Sequence, residues 1–218
     1  MSQRKRVGVL ISGRGSNMSS LINACNKPDY PAVITLVISN NPDAPGLKIA
    51  TQAGIAARSI DHKTYPSREA FEADLDTALK EAEVDLICNA GFMRLLTNSF
   101  VEGWRDKQLN IHPSLLPAFK GLHTHERAIE AGVKLSGCTV HFVRTEMDAG
   151  PIIAQAAVPV LPDDTADDLA ARVLEAEHKL YPHALRLVAS DQIQVEGEKV
   201  VLKNSWQAAD GLFSPPIV

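Results

Sequence analysis

The chain alternates short runs of branched apolar residues with longer stretches in which apolar residues recur every three or four positions. The short runs are typical of strands buried on both faces, and the longer stretches are typical of amphipathic helices. The predicted strands of the first half are Val7–Ile11, Ile34–Ser39, Ala57–Ile60, Val84–Asn89 and Leu109–His112. The predicted helices between them are Ser16–Asn26, Pro45–Ala53 and Ser67–Ala82. This order predicts a mostly parallel sheet with helices on both faces.

The pattern changes in the second half of the chain. The segments Leu135–Val143 and Gly150–Val160 are longer, and glycine and proline interrupt them. They predict strands that extend the sheet in the antiparallel sense. A long helix is predicted over Thr165–Ala189, where Pro182 is expected to kink or divide it. Residues 193–202 predict a hairpin that turns at its central glycine.

The predicted fold is one α/β domain, with a single doubly wound, mostly parallel sheet and an antiparallel C-terminal extension. No linker rich in Pro, Gly or Ser interrupts residues 1–190, so residues 1–218 are predicted to form one domain. Its core is expected at about residues 5–190, followed by the hairpin and tail over residues 191–218. The last stretch, Ala208–Val218, is expected to be a loose tail.

The composition is that of a globular protein, because 45% of the 218 residues are hydrophobic, enough for a sizeable core. The formal net charge is -4 at pH 7, so no basic excess favours nucleic-acid binding. The apolar run Val7–Ile11 is too short for a signal sequence or a membrane span. Three separated cysteines form no CxxC pair, which favours a reducing cytoplasm over a disulfide framework.

The chemistry that the sequence predicts starts at the end of the fifth strand, in Leu109-Asn110-Ile111-His112-Pro113. Side chains alternate along a strand, so Asn110 and His112 project from the same face. Pro113 has no N–H for the ladder, so the strand is expected to end at His112. An amide donor beside a group that moves protons suits a reaction at a carbonyl carbon. The alternative is that His112 only caps backbone groups at the strand end.

A glycine-rich turn, Ser12-Gly13-Arg14-Gly15-Ser16-Asn17, joins the first strand to the first helix. Glycine lets a ligand approach the main chain, and the free N–H groups at a helix start can hold a phosphate. A dinucleotide fingerprint would need a third glycine near Met18 and an acid after the second strand, and neither is present. The turn therefore favours a single phosphate over NAD. The alternative is a tight turn without a ligand.

An acidic group lies in the glycine-bounded loop Glu146-Met147-Asp148-Ala149-Gly150. If Asp148 lies near His112, its negative charge favours the protonated imidazole and makes the histidine a better proton carrier. The alternative is a turn aspartate that hydrogen-bonds its own backbone, which is the commoner role of Asp close to Gly.

Two further patterns have competing interpretations. His123-Thr124-His125, with His112 or His141 as a third ligand, suggests a metal site. No HExxH or Cys/His spacing supports it, so no metal is predicted. The run Phe92-Met93-Arg94-Leu95-Leu96 either forms an apolar slot for a flat ring or packs in the core.

Together these stretches resemble the phosphoribosylglycinamide formyltransferase family of folate-dependent enzymes. The matching motifs occur in the family's order, and they are Ile11–Asn17, Ala90–Arg94, Asn110–Pro117, Gly121–His125, Val140–Val143 and Asp148–Gly150. The resemblance implies direct transfer of a formyl group from 10-formyltetrahydrofolate, the co-substrate, to the amino group of glycinamide ribonucleotide, in purine biosynthesis. The expected partners are these small molecules, without nucleic acid or membrane, and the expected state is a monomer or a homodimer in the cytoplasm.

The resemblance also implies roles for single residues. The asparagine matching Asn110 steadies the oxyanion of a tetrahedral intermediate, the histidine matching His112 moves protons, and the aspartate matching Asp148 supports that histidine. The implied substrate-binding residues are Gly15, Ser16 and Asn17 for the phosphate and Glu177 for the ribose. The implied folate-binding residues are Arg68, Met93, Arg94, Leu95, Leu96, Asn110, Val143, Arg144 and Asp148.

Three other functions compete with formyl transfer to glycinamide ribonucleotide. A methionyl-tRNA formyltransferase is related, but such enzymes carry a further C-terminal domain and would need a basic surface, which the net charge of -4 does not favour. A formyltetrahydrofolate deformylase has a related catalytic core and delivers the formyl group to water. Such enzymes carry an extra domain ahead of the core, and here the first strand begins by residue 7, which predicts that no such domain is present. A non-catalytic nucleotide-binding module would explain the glycine turn but not Asn110, His112 and Asp148.

Overall fold

The computed structural model describes residues 3–203. Its strands are β1 (Lys5–Ile11), β2 (Ala32–Ser39), β3 (Ala56–Ser59), β4 (Leu86–Asn89), β5 (Gln108–His112), β6 (Leu135–Phe142), β7 (Ile152–Pro159), β8 (Ile193–Glu196) and β9 (Lys199–Leu202). Its helices are α1 (Ser16–Cys25), α2 (Pro45–Gln52), α3 (Arg68–Glu81), α4 (Asn98–Gly103), α5 (Thr124–Glu130) and α6 (Ala166–Ala189), with a 3₁₀ turn at His62–Thr64. The predicted loose tail, Ala208–Val218, lies outside the described residues.

Seven of these strands form one sheet in the order β3-β2-β1-β4-β5-β6-β7. The strands β1 to β5 run parallel to one another, and β6 and β7 pair antiparallel. The remaining strands, β8 and β9, form a separate hairpin that turns at Gly197. The predicted fold class, a mostly parallel sheet with an antiparallel extension, is confirmed.

Each face of the sheet has its own hydrophobic core, because side chains alternate along a strand. In β1, Val9 and Ile11 belong to the core that α1 and α6 cover. Leu10, between them, belongs to the core that α3 and α4 cover. All three side chains are fully buried, so the strand has the continuous apolar sequence of a sheet covered on both sides.

The edge of the sheet where β1, β4 and β5 end collects the predicted chemistry. The order of the strands reverses at β1, which has β2 on one side and β4 on the other. Ligands of open α/β sheets bind in the crevice outside the carboxyl ends of such strands. The glycine turn follows β1, the run Phe92–Leu96 follows β4, and His112 ends β5. The topology therefore places all three segments at one edge.

Of the kink or division expected at Pro182, the division does not occur, because α6 is one helix of 24 residues. Proline removes one N–H from the helix ladder, but packing of the surrounding turns maintains the helix. Tyr181 is fully buried, and its Oη donates to the carbonyl oxygens of Asn89 at 3.0 Å and Leu109 at 3.2 Å. It thereby ties α6 to β4 and β5 directly before the proline.

Two short helices, α4 and α5, are missing from the sequence prediction. They have six and seven residues, about two turns or fewer, which is too short for a clear helical period of hydrophobic residues. A local signal was present for α4, because the Thr97 side chain caps it by accepting a hydrogen bond from the Phe100 N–H. Within residues 3–203, no helix is long and apolar enough to cross a bilayer.

Candidate active site

His112 lies at the end of β5 and is 6% exposed. Its Nδ1 lies 3.4 Å from Oδ2 of Asp148, and its Nε2 lies 3.0 Å from the carbonyl oxygen of Phe119. A carbonyl and an ionised carboxylate only accept hydrogen bonds, so both ring nitrogens face groups that attract a proton. His112 therefore makes the backbone contact of a capping histidine and also contacts the predicted carboxylate.

The loop between β6 and β7 directs the Asp148 carboxylate towards His112. Asp148 has a left-handed backbone with φ 52°, and its Oδ2 accepts a hydrogen bond from the Gly121 N–H at 2.9 Å. At Gly150, a Cβ atom would lie 1.8 Å from the carbonyl oxygen of Phe142. Only glycine fits there, which accounts for the Asp-x-Gly spacing. Asp148 thus does more than shape its own turn, because its carboxylate joins two other segments.

Asn110 is held by a residue of the neighbouring strand, His141. The two are cross-strand partners in the β5–β6 ladder, and Asn110 Nδ2 lies 3.3 Å from His141 Nε2. Burial lowers the pKa of His141 below its usual 6.5, because it disfavours the charged ring. The neutral ring donates from Nδ1 to the Phe142 carbonyl at 2.9 Å and accepts at Nε2 from Asn110. The second amide N–H of Asn110 has no partner within residues 3–203 and can serve a ligand.

The structure adds groups to the site that sequence reasoning missed. His141 was considered only as a metal ligand, whereas it is a hydrogen-bond partner of Asn110. Its signal in the sequence is a polar position within an apolar run, but its pairing depends on strand register, which one strand's sequence does not state. The Phe119 carbonyl and the Gly121 N–H are backbone groups. The residue types at positions 119 and 121 therefore do not reveal that these groups belong to the site.

The glycine turn leads directly into α1, as predicted. Gly15 is the N-cap of α1 with φ 75°, a left-handed conformation that favours glycine. A Cβ atom there would also lie 2.9 Å from Cε of Met18. No side chain of the N-cap satisfies the first N–H groups of α1. Those groups are therefore left for an anionic ligand, and Ser16 and Asn17 are the first two residues of the helix.

The residues expected to hold the phosphate and the ribose meet between α1 and α6. Asn17 Nδ2 donates to Oε2 of Glu177 at 2.7 Å, and both side chains are buried. Asn17 Oδ1 is buried and has no hydrogen-bond partner within the described residues. A groove of about 690 Å³ between α1 and α6 is lined by the pair's sequence neighbours Ser16 and His178, but by neither Asn17 nor Glu177. The structure thus joins two groups that are 160 residues apart in the chain.

Burial raises the pKa of Glu177 from 4.5 to about 6, although the hydrogen bond from Asn17 acts in the opposite direction. The folded protein therefore holds this proton more tightly than the unfolded chain does. The resulting contribution to stability is complete below about pH 4.5 and is lost as the pH rises through about 6.

We expect Glu177→Gln to raise the free energy of unfolding at pH 7.5 by about 1–2 kcal/mol, because the buried charge is removed. The gain should shrink to near zero at about pH 4, where wild-type Glu177 is protonated in both states. Urea unfolding at both pH values measures the difference. Glu175→Gln, an exposed position in the same helix, is the control and should change neither value. A Glu177→Gln protein no more stable than wild type at pH 7.5 contradicts the raised pKa.

The run after β4 is only partly core. Met93 and Leu95 are 66% and 65% exposed, whereas Leu96 packs against the core under α3 and α4. Leu122 and Met147, in two other loops at this edge, are 66% and 51% exposed. Exposed apolar side chains of this size are candidates for contact with a ligand or partner. The core interpretation is therefore wrong for Met93 and Leu95, and the apolar slot fits them.

Ser12 connects the glycine turn with the run after β4. Its Oγ donates to Oδ1 of Asn40 at 2.5 Å and accepts a hydrogen bond from the Met93 N–H at 2.8 Å. Its own N–H donates to the Gly91 carbonyl at 3.1 Å. The segments expected to bind the phosphate and the folate are thereby held in contact by one residue, which was not predicted as part of the site.

The basic residues predicted for folate binding lie in different settings. Arg68 is the first residue of α3, and Arg94 lies half-buried in the run after β4. Neither guanidinium forms a hydrogen bond or ion pair within residues 3–203, so both are available to a carboxylate of a ligand. The Arg144 guanidinium is instead bound to Asp106 at 2.6 Å, at the turn that leads into β5. Folate contacts of Arg144 would therefore come from its backbone, as would those of Val143 beside it.

In the described part of the chain, the histidine-rich segment belongs to no cluster of possible metal ligands, and two of the cysteines have raised pKa values. Within residues 3–203, no group of three or more His, Cys, Asp or Glu residues could hold a metal ion. His123 is exposed and lies 3.5 Å from Glu126 on its own helix. Burial raises the pKa of Cys25 and Cys138 to about 12, so neither thiol ionises near neutral pH.

The comparisons with known proteins all indicate the same family. Residues 5–185 match a family model described as Formyl transferase. A phosphoribosylglycinamide formyltransferase of Escherichia coli K12 is 43% identical over 187 residues, which cover 86% of this chain and 88% of that protein. The crystal structure of glycinamide ribonucleotide transformylase 1 from Symbiobacterium toebii has a TM-score of 0.91 at 46% identity, covering 94% and 96% of the two chains.

A longer relative contains the same unit. The trifunctional purine biosynthetic protein adenosine-3 of Gallus gallus is 53% identical over 203 residues. The match covers 93% of this chain and 20% of that protein, so the chain spans about a fifth of the length of this relative.

Proposed function

The chain belongs to the formyl transferase family, and from this premise we infer that it has glycinamide ribonucleotide transformylase activity in purine biosynthesis. It transfers the formyl group of 10-formyltetrahydrofolate to the amino group of glycinamide ribonucleotide. The observation that carries this function is the convergence of Asn110, His112 and Asp148 at one sheet edge. Beside them, the uncapped start of α1 suits the phosphate of the acceptor.

The proposed reaction is a direct transfer. The amino nitrogen of the acceptor attacks the formyl carbon, which forms a C–N bond and leaves an oxyanion on a tetrahedral carbon. The amine then loses a proton, N10 of the folate gains one, and the bond between the formyl carbon and N10 breaks. Formylglycinamide ribonucleotide and tetrahydrofolate are released. These steps require a donor for the oxyanion and a group that moves protons.

The side chains at the sheet edge supply both groups. Asn110 donates to the oxyanion with the amide N–H that His141 leaves unpaired. His112 takes the proton from the amine and returns one to the folate nitrogen. Asp148, 3.4 Å from Nδ1, stabilises the ring while it is protonated, and the Gly121 N–H keeps that carboxylate in place. No metal ion is assigned a step in this mechanism.

Each substrate has its own set of residues in the proposal. The acceptor's phosphate binds at Gly15, Ser16 and Asn17, where the positive end of the helix dipole favours an anion. Its ribose hydroxyls contact Glu177, which lies beside Asn17. The donor's flat ring packs on the exposed apolar side chains around Met93 and Leu95, which removes them from water. The remaining proposed folate contacts are Arg68, Arg94, Leu96, Asn110, Val143, Arg144 and Asp148.

The wider setting of the reaction is also a proposal. Every group named above comes from a single chain, so a monomer or a homodimer serves the mechanism equally. We propose that the chain works as one domain, in the cytoplasm, and that its partners are the two small-molecule substrates.

One assay tests the proposed function against its competitors. The protein is incubated with 10-formyltetrahydrofolate, with and without glycinamide ribonucleotide, and tetrahydrofolate release is followed by absorbance. We expect release only when the acceptor is present. Release at the same rate without acceptor would make the protein a deformylase that uses water. No release in either mixture would leave a nucleotide-binding module.

A further inference from the structure

A cluster of charged side chains surrounds Arg144 and joins the β8–β9 hairpin to the main domain. The Arg144 guanidinium donates from Nε to Oε2 of Glu198 at 2.9 Å and from Nη2 to Oδ1 of Asp106 at 2.6 Å. Its Nη1 donates to the Val143 carbonyl at 3.1 Å. Glu198 lies in the turn of the hairpin, directly before β9, and Asp106 lies in the turn that leads into β5. The three nitrogens of the Arg144 guanidinium therefore contact two distant segments and the backbone of its own loop.

This cluster differs from an ordinary surface ion pair in its burial. The Arg144 side chain is only 8% exposed, whereas those of Asp106 and Glu198 are 41% and 56% exposed. An exposed ion pair contributes little, but a nearly buried guanidinium needs its partners, because an uncompensated charge there is costly. Glu198 also accepts from Arg105 at 2.7 Å, so the hairpin is held on both sides of the cluster.

The cluster lies at the base of the loop that carries Asp148. Val143 pairs with β5, since its N–H donates to the Gln108 carbonyl at 2.8 Å, and Arg144 follows it. The next three residues, 145–147, are exposed, and then the carboxylate of Asp148 reaches His112. The loop is thus fixed at one end by Gly121 and His112 and at the other end by the Arg144 cluster.

We propose that Glu198 and Asp106 are positioning residues for the folate donor. By holding the Arg144 guanidinium they keep the backbone of residues 143–148 in the conformation that lines the donor site, although neither carboxylate touches a substrate. The proposal rests on the proposed function, because the donor is the ligand that this loop is expected to contact. It also gives the β8–β9 hairpin a role in the reaction.

Of the two substrates, only the donor should bind more weakly, although kcat also depends on Asp148 at the end of the same loop. The acceptor residues on α1 and α6 form no hydrogen bond or ion pair with the charged cluster within residues 3–203. Loosening the loop therefore leaves the proposed phosphate and ribose contacts unchanged. A selective change in donor KM distinguishes positioning from a general loss of stability, which would raise both KM values.

The test uses Glu198→Ala, Asp106→Asn and the double variant. Asn is chosen at position 106 because the backbone there is left-handed, with φ 58°, which Asn tolerates better than Ala. We expect the double variant to raise the KM for 10-formyltetrahydrofolate about tenfold, because a displaced contact segment weakens productive binding. The KM for glycinamide ribonucleotide should stay within about twofold. Glu102→Ala, which removes another partner of Arg105 and leaves the Arg144 contacts intact, is the matched control.

An unchanged donor KM in the double variant overturns the proposal, and so does a parallel rise of both KM values. Calorimetric titration with tetrahydrofolate measures donor-site binding without turnover. Weaker tetrahydrofolate binding in the double variant, measured well below its Tm, supports the proposal, and equal binding overturns it. If the proposed function itself is wrong, the result is different: the wild-type protein shows no acceptor-dependent release of tetrahydrofolate.

Discussion

Replacing His112 with alanine is expected to lower kcat by about three orders of magnitude, because positioned acid–base groups typically contribute a hundredfold to ten-thousandfold. Both ring nitrogens of His112 face proton acceptors, and no other imidazole in the described residues contacts the Asp148 carboxylate as closely. The formyl transfer rate is measured with both substrates saturating. KM values should change less than kcat, because the ring acts on the proton rather than on binding.

The control for this variant is His183→Ala, an exposed position on α6, which should retain full activity. Thermal unfolding of both variants checks that the fold is intact, since His112→Ala also removes a hydrogen bond to the Phe119 carbonyl. A folded His112→Ala protein whose kcat stays within tenfold of wild type would remove His112 from the mechanism.

Replacing Asn110 with alanine is expected to lower kcat by a factor of about a hundred to a thousand, the usual effect of removing one oxyanion donor. Asn110 Nδ2 is held 3.3 Å from Nε2 of His141, so its second N–H is already oriented before substrate binds. Because the oxyanion exists only in the transition state and the intermediate, the loss should fall mainly on kcat. Steady-state kinetics with each substrate varied in turn measures this.

Asn110→Asp is the sharper companion variant, because it keeps the size of the side chain and replaces the N–H donors by oxygen. A carboxylate there repels the developing oxyanion, so we expect a kcat at or below that of Asn110→Ala. If Asn110→Asp were more active than Asn110→Ala, Asn110 would act through its shape or its contact with His141, and not as an oxyanion donor.

The parallel half of the sheet was predictable because its strands are buried on both faces. Val9, Leu10 and Ile11 show this, since consecutive residues enter opposite cores and all are apolar. Elements with weaker local patterns were missed, as for the short helices α4 and α5. The expectation that Pro182 could divide the helix was wrong for the converse reason, because packing of Tyr181 and its neighbours overrides a local preference for ending the helix.

The candidate site was predictable where a side chain and its position on a strand or turn carry the chemistry. Asn110 and His112 are two residues apart on one strand, so they were expected on the same face. The glycine turn has the residue types of a helix start that binds an anion. The contacts between segments were not predictable in this way. Asp148 meets His112, and Asn17 meets Glu177, only because strands and helices far apart in the chain pack together.

By itself the sequence determined the layered α/β architecture, the segments that end at the functional edge, and the types of side chain offered there, because these depend on local period and on turn residues. The tertiary structure decided which groups touch. It paired His141 with Asn110 through strand register, aimed Asp148 with help from the Gly121 N–H, and turned the Arg144 guanidinium towards Glu198 and Asp106. Such contacts join residues that are close only after the chain has folded, so no local pattern encodes them.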